Sequence, residues 1–207
     1  MPKAHREQTL KAAVQSKAAS TDCAKLESIV LASPILRPII SAWSAISLPD
    51  CWLIAGAIAQ TVWNNAFGFP PGHGLKDVDL VYFDGSDLSG TGETRHEQRI
   101  RCLFAHLPAK VDVKNEARVH LWYPEKFGNP IPPYVSAEHA IATFPTTATA
   151  VGIQPGMSGL SIAAPYGLAD LFGLVVRPNK VQITRAVYEA KVTRWRRLWP
   201  DLTILDW

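Results

Sequence analysis

The chain has 207 residues, 47% hydrophobic and 19% charged, with 21 basic against 18 acidic side chains and a formal charge of +3. Those numbers suit one compact domain with a real core; they exclude an extensively disordered chain, and so mild a basic balance gives no ground by itself for a nucleic-acid partner. No apolar run reaches membrane-span length, and Cys23, Cys51 and Cys102, odd in number, far apart and outside any metal spacing, read as reduced thiols of a cytoplasmic protein.

Lys3, Arg6, Lys11 and Lys17 stand against Glu7 alone near the start. With a single Arg and a broken apolar face, residues 1–22 read as a flexible N-terminus rather than a transit peptide, ahead of a single domain over 23–207. Cys23–Ala32 and Leu36–Ile46 are predicted as short helices broken at Ser33-Pro34. After the Leu48-Pro49-Asp50 turn, Cys51–Ala55 is a short apolar strand, and Gly56 opens a helix through Phe67. Three glycines and two prolines make 68–74 a loop, and Asp77–Phe83 is the second strand. Ile100, Leu103, Phe104 and Leu107 recur at helical spacing in a predicted helix over Glu93–Leu107. Lys110–Lys114 alternates as a third strand, with a helical stretch over Asn115–Tyr123 behind it.

The second half is mixed. Ser136 caps a short helix to Phe144; Ala148–Gln154 and Leu160–Ala164 form a hairpin across residues 155–159. Tyr166–Leu174 is a short helix and Ile183–Trp199 a longer amphipathic one, packed on the body by Trp195 and Trp199. The order predicts an α+β fold with an α/β-like core, a small mixed sheet flanked by helices.

Asp77 and Asp79 begin an otherwise apolar strand. Alternation puts both side chains on one face, about 7 Å apart at the backbone. Two carboxylates so placed repel, and a divalent cation removes the penalty; Mg²⁺ takes a few carboxylate oxygens and fills its shell with water and substrate phosphates. Upstream, "WLIAGAIAQTVWN" reads as strand, glycine turn and helix, where Gly56 lets a backbone approach a ligand and the helix N-terminus favours an anion. A phosphate site followed by a metal site is what a nucleoside triphosphate needs. Asp112, on the third strand, supplies a further candidate carboxylate.

These residues carry a resemblance. Ala55-Gly56-Ala57-Ile58, Val62-Trp63-Asn64, Asp77-Val78-Asp79 and Tyr82-Phe83-Asp84 resemble a bacterial family of small nucleotidyltransferase-like proteins within the polymerase-beta-like superfamily. Val113 to His120, Ala164-Pro165-Tyr166-Gly167, Val176-Arg177-Pro178-Asn179 and Trp199-Pro200-Asp201-Leu202 extend it over 24–207. The resemblance implies a metal-dependent nucleotidyltransferase using Mg²⁺ or Mn²⁺. It implies Asp77, Asp79 and Asp112 as catalytic and metal-binding residues, and a nucleoside triphosphate donating to an acceptor hydroxyl on a small molecule, protein or RNA. Gly56, Ala57, Asn64, Lys114 and Arg118 are then the candidate nucleotide-binding residues. Gly56-Ala57 stands where active members have Gly-Ser or Gly-Gly, so a catalytically impaired nucleotide-binding or regulatory protein on the same fold is the alternative.

Other residues carry weaker signals. Asn115 and His120 join Lys114 and Arg118 in a polar cluster, and Asp84 reads as a turn former. Thr146, Thr147 and Thr149 suit a strand as well as a pocket. Lys191, Arg194, Arg196 and Arg197 read as a solvated basic helix face.

Overall fold

The computed structural model describes residues 20–207. The expectation of a flexible N-terminus over 1–22 therefore lies outside the described residues, except for its last three, which open the helix over residues 20–32, α1. The stretch expected as one helix over Leu36–Ile46 is two, α2 (Leu36–Ser41) and α3 (Trp43–Ile46), because Ala42 leaves helical geometry at ψ 17°. The left-handed residues Ser47 and Asp50 then turn the chain into β1 (Trp52–Ile54).

Five strands form one mixed sheet in the order β3-β2-β1-β4-β5. β2 is Asp77–Tyr82, β3 Lys110–Asn115, β4 Gly152–Gly156 and β5 Gly159–Ala163. β2 and β3 run parallel, with Val78 beside Val111 and Leu80 beside Val113; β1 is antiparallel to both β2 and β4. A parallel neighbour needs a crossover, and α5 (Gly90–Leu103) supplies it. It begins at Gly90 rather than Glu93 because the Ser89 hydroxyl accepts the N–H of Gly92 at 3.0 Å and caps the helix.

Period-two alternation sorts the sheet residues. Leu53, Val78, Leu80, Val111, Val113 and Ile153 share the main core with Ile58, Val62 and Trp63 of α4 (Gly56–Phe67) and Ile100 of α5. Removing one such side chain, as in Leu80→Ala, costs about 2–5 kcal/mol. Trp52, Ile54 and Val81 point the other way and pack on Ala137 and Ile141 of α7 (Ala137–Ile141). Asp77, Asp79 and Asp112 are not among the residues of that cluster.

The last long helix, α9 (Arg185–Leu198), docks through Trp195 and Trp199, whose rings meet Trp63 edge-on at 5.3 and 5.4 Å. α6 (Val119–Phe127) runs past the expected end of its helix, and α8 is only Ala169–Phe172. Ala148 and Thr149, expected to open a strand, lie in a 3-10 turn over Thr147–Thr149 instead: the Thr146 hydroxyl accepts the Thr149 N–H at 3.3 Å, a local bond that competes with sheet pairing. A two-strand parallel pair of β6 (Val175–Val176) and β7 (Thr203–Ile204) ties the C-terminal segment down.

Candidate active site

The turn from β1 into α4 is strained. Ala55 has φ 54° and ψ −120°, a region ordinarily left to glycine, and its own N–H is fixed by the Val151 carbonyl at 2.8 Å. No side chain caps α4, so the orphan N–H groups of its first turn have no capping partner. Gly56 follows; a Cβ there would stand 3.1 Å from Gln60 Nε2, on the cleft side. Gln60 is itself buried, and its Oε1 has no hydrogen-bond partner. The Ala57 methyl lies in the main core, so at that position only the backbone can meet a ligand.

Ala55, Gly56 and Gln60 form one side of a cleft of about 180 Å³. Asp77 and Asp79 of β2 and Lys191 and Arg194 of α9 also line it. Burial pushes the Asp79 carboxyl up to about 6, with the charges of Asp77 and Asp112 adding to it and those of Lys191 and Lys110 opposing it. Loss of solvent around its ammonium, with the Arg194 charge beside it, lowers Lys191 against the pull of Asp79 and Asp77. Arg194 is steadied by donating to the Gly74 carbonyl at 2.6 Å.

Asp112 is the register partner of Asp79 across β2 and β3, so both side chains leave the sheet on one face. Its surroundings differ. Burial would raise its carboxyl, but Lys110 at 2.7 Å and Arg101 at 2.5 Å hold it below the usual carboxylate range. Both cations contact Oδ1. Among the described residues no three His, Cys, Asp or Glu side chains gather as a ready-made metal cage.

Beyond Asp79 the cleft continues, past the shared residues Pro145 and Lys191, into a second chamber of about 290 Å³. Its walls are mostly apolar, with Trp122, Tyr123, Phe127, Tyr134 and Phe144 the aromatic part, and Glu116 and Lys114 also line it. Glu116 is 7% exposed, and burial raises its carboxyl to about 8, with Glu93 and Asp79 adding to the effect.

The expected residues thus divide. Gly56, Asp77 and Asp79 share the first chamber, Asp79 and Lys114 the second, and Asp112 sits in register beside Asp79. Asn64 is elsewhere: it is buried, its Nδ2 donates to the His73 carbonyl at 2.9 Å, and its Oδ1 accepts from Trp199 Nε1 at 2.8 Å. Arg118 lines neither chamber; it pairs with Glu93 at 2.8 Å and donates to the Leu88 carbonyl. Asn115 is fully buried and staples the Asp84–Asp87 turn, its Nδ2 donating to both carbonyls. Asp84 turns the chain by accepting from Ser86.

Sequence reasoning passed over Gln60, Glu116, Lys191 and Arg194 as site residues. One signal was available for the last two. Tyr188, Val192 and Trp195 mark the buried stripe of α9, and Lys191 and Arg194 flank it three residues apart; Lys191, Arg196 and Arg197 are exposed as expected, and Arg194 is half-buried.

Comparison with known proteins gives two findings. The sequence profile of a family described as nucleotidyltransferase matches residues 41–204. A solved structure described as "The NMR structure of the protein reveals a CCA-adding enzyme head domain" superposes with a TM-score of 0.72 at 24% identity, covering 86% of this chain and 95% of that one. That likeness carries the fold. No curated protein matches the sequence.

Proposed function

Because the chain belongs to this nucleotidyltransferase family, we propose that it moves a nucleotidyl group from a nucleoside triphosphate to an acceptor hydroxyl, with the reaction centred on Asp77 and Asp79. One observation carries the proposal. The uncapped, glycine-led start of α4, the acid pair of β2 and the cations Lys191 and Arg194 all line one cleft. A helix N-terminus with two cations suits phosphates, and paired acids beside it suit the cation that phosphates bring.

The donor set fits a divalent ion. Burial first, and then the charges of Asp77 and Asp112, raise the Asp79 carboxyl to about 6, against Lys191 and Lys110, and a bound cation would favour its ionised form. Mg²⁺ asks for only one or two carboxylates beside water and phosphate oxygens. Asp77 and Asp79 would hold the ion, with Asp112 as the neighbouring third carboxylate. Bound there, it would neutralise charge on the phosphates and on the oxygens entering and leaving phosphorus.

The chain's own residues do the rest. Backbone N–H groups from Gly56 onward, with Lys191 and Arg194, orient the triphosphate. Lys114, beside Asp79 in the second chamber, balances further negative charge. The acceptor oxygen forms a bond to the α-phosphorus, the bond from that phosphorus to the bridging oxygen breaks, and pyrophosphate leaves. We assign the acceptor's proton to Asp112, whose Oδ1 is held by Arg101 and Lys110 and whose Oδ2 is left for a further partner.

Ala57 favours a second reading, a nucleotide-binding protein with little turnover, because it offers no hydroxyl to a phosphate. Incubation with each of four labelled ribonucleoside triphosphates, with Mg²⁺ or Mn²⁺, separates the two. Pyrophosphate release with a labelled acceptor supports transfer. Binding without turnover on small-molecule, protein or RNA acceptors moves the assignment to the second reading, and absence of metal-dependent binding removes both.

A further inference from the structure

Resting on the nucleotidyl-transfer reading, we propose that the second chamber is the seat of the donor's nucleobase, and that Glu116 selects a base carrying an exocyclic amino group. The chamber is walled by Trp122, Tyr123, Phe127, Tyr134 and Phe144. At about 290 Å³ it is at the small end of ligand sites, with room for one planar ring system rather than a polymer. Flat apolar walls stack on a base whatever its identity. Selection then needs a polar group, and the chamber supplies one that the protein itself leaves unused.

Of the other polar side chains of the wall, Asp79 and Lys191 belong to the phosphate cleft, Lys114 faces Glu93 and Glu97, and the rest are occupied. The Tyr134 hydroxyl meets Thr143 at 2.8 Å and Gln182 at 3.0 Å, and the Thr143 hydroxyl donates to the Ala140 carbonyl. Glu116 is buried at 7% exposure, yet among the described residues no hydrogen bond or ion pair engages its carboxyl. A carboxyl in either protonation state keeps an oxygen that accepts an N–H, and one that lines the chamber without a protein donor is free to accept it from a ligand. The amino groups of adenine, cytosine and guanine are such donors; uracil presents carbonyls in place of an exocyclic amine and has only its ring N3–H to donate on that edge.

Two features orient the ligand. The chamber opens onto Asp79, Pro145 and Lys191, which it shares with the phosphate cleft, so a base seated on the aromatic walls leads its phosphates toward Gly56 and Arg194. Lys114 and Lys191 also disfavour a cationic amine in the aromatic cage, although the walls alone would suit one. A neutral ring attached to an anionic tail satisfies both ends.

Calorimetry in Mg²⁺ tests this with ATP, CTP, GTP and UTP, and with inorganic tripolyphosphate as the base-free probe. The parent should bind at least one amino-bearing triphosphate about tenfold or more tightly than UTP. Glu116→Leu should bring the four within about twofold of one another while tripolyphosphate binds as before. Trp122→Ala, at a half-buried wall position, should weaken all four alike and spare tripolyphosphate, and thermal melts report whether each variant folds. Equal affinity for all four in the parent, or an unchanged preference in a folded Glu116→Leu, overturns the selection. The free nucleoside of the preferred base should compete with its triphosphate; simultaneous binding would give the chamber to the acceptor and overturn the donor assignment. If tripolyphosphate binds but no triphosphate binds better, the phosphate site stands and the base seat falls. If nothing binds, the transfer reading itself falls.

Discussion

Asp79 and Asp112 are Cα partners across the parallel β2–β3 pair and share a face, yet they hold their protons oppositely. Asp112 is kept ionised by Lys110 and Arg101, while Asp79 is pushed up to about 6 by burial and by its acidic neighbours. The same pairing that assembles the cluster leaves one member saturated and the other in want of a cation.

That difference predicts contrasting variants. Asp79→Asn keeps shape and removes charge, so turnover should fall on the order of 10²-fold or more, a few kcal/mol of transition-state stabilisation. Asp112→Asn should lower turnover too, but also the melting temperature, since Arg101 and Lys110 lose their shared partner. Steady-state rates beside thermal melts check this; unchanged turnover in Asp79→Asn would rule out the acid-pair mechanism.

A pH effect on stability follows from Asp79 alone. Its folded state binds the proton more tightly than the unfolded chain, from 3.8 to about 6. The contribution of Asp79 to stability is therefore fully present below about pH 4 and is lost as pH rises through about 6, while that of Glu116 is lost at higher pH. In chelator-containing buffer, Asp79→Asn should melt above the parent at pH 7–8, and the two should converge near pH 4. Calorimetric scans across that range would show a pH-independent gap if the burial of Asp79 were not the cause.

Lys191 and Arg196 lie on the same helix but in different surroundings. Lys191→Met should weaken triphosphate binding about tenfold or more, because it removes a cation that lines the cleft with Gly56. Arg196→Ala, outside the cleft and exposed, should leave binding within about twofold. Titration calorimetry at two salt concentrations distinguishes a local contact from general charge loss.

At the phosphate turn, backbone and space predict separate outcomes. Gly56 has ordinary φ, and its nearest obstacle is the end of the Gln60 side chain, so Gly56→Val should fold while its branched side chain blocks the phosphate approach. Ala55→Gly should raise stability by about 1 kcal/mol, the relief of a positive φ less the added freedom of glycine in the unfolded chain. Circular dichroism melts and nucleotide titrations on the two variants check both statements.

Asn64→Ala should cost about 2–4 kcal/mol, because it strands the Trp199 N–H and two carbonyls in the core. The folded fraction should bind triphosphate as the parent does. Weakened binding at unchanged stability would return Asn64 to the nucleotide site.

Local periodicity alone determined much of this protein. Alternation placed Asp77 and Asp79 on one face, and Gly56 marked the start of α4 to the residue. Spacing of apolar residues also set out β1 and the two strands that carry the acids, within a residue or two. Those features depend on neighbours a few positions away, where strand and helix geometry leave little choice. What the tertiary structure decided lies across long separations. Lys191 meets Asp79 only because Trp195 and Trp199 dock α9 on Trp63. Glu116 enters the second chamber because β3 ends there and the aromatic walls close round it. An amide such as that of Asn64 satisfies a ligand or a core equally well, and the choice fell to an indole 135 positions further along the chain. Arg118 likewise paired with Glu93 of α5. Side-chain chemistry states what each group can bind, but which partner reaches it first depends on packing between elements, and no local pattern encodes that.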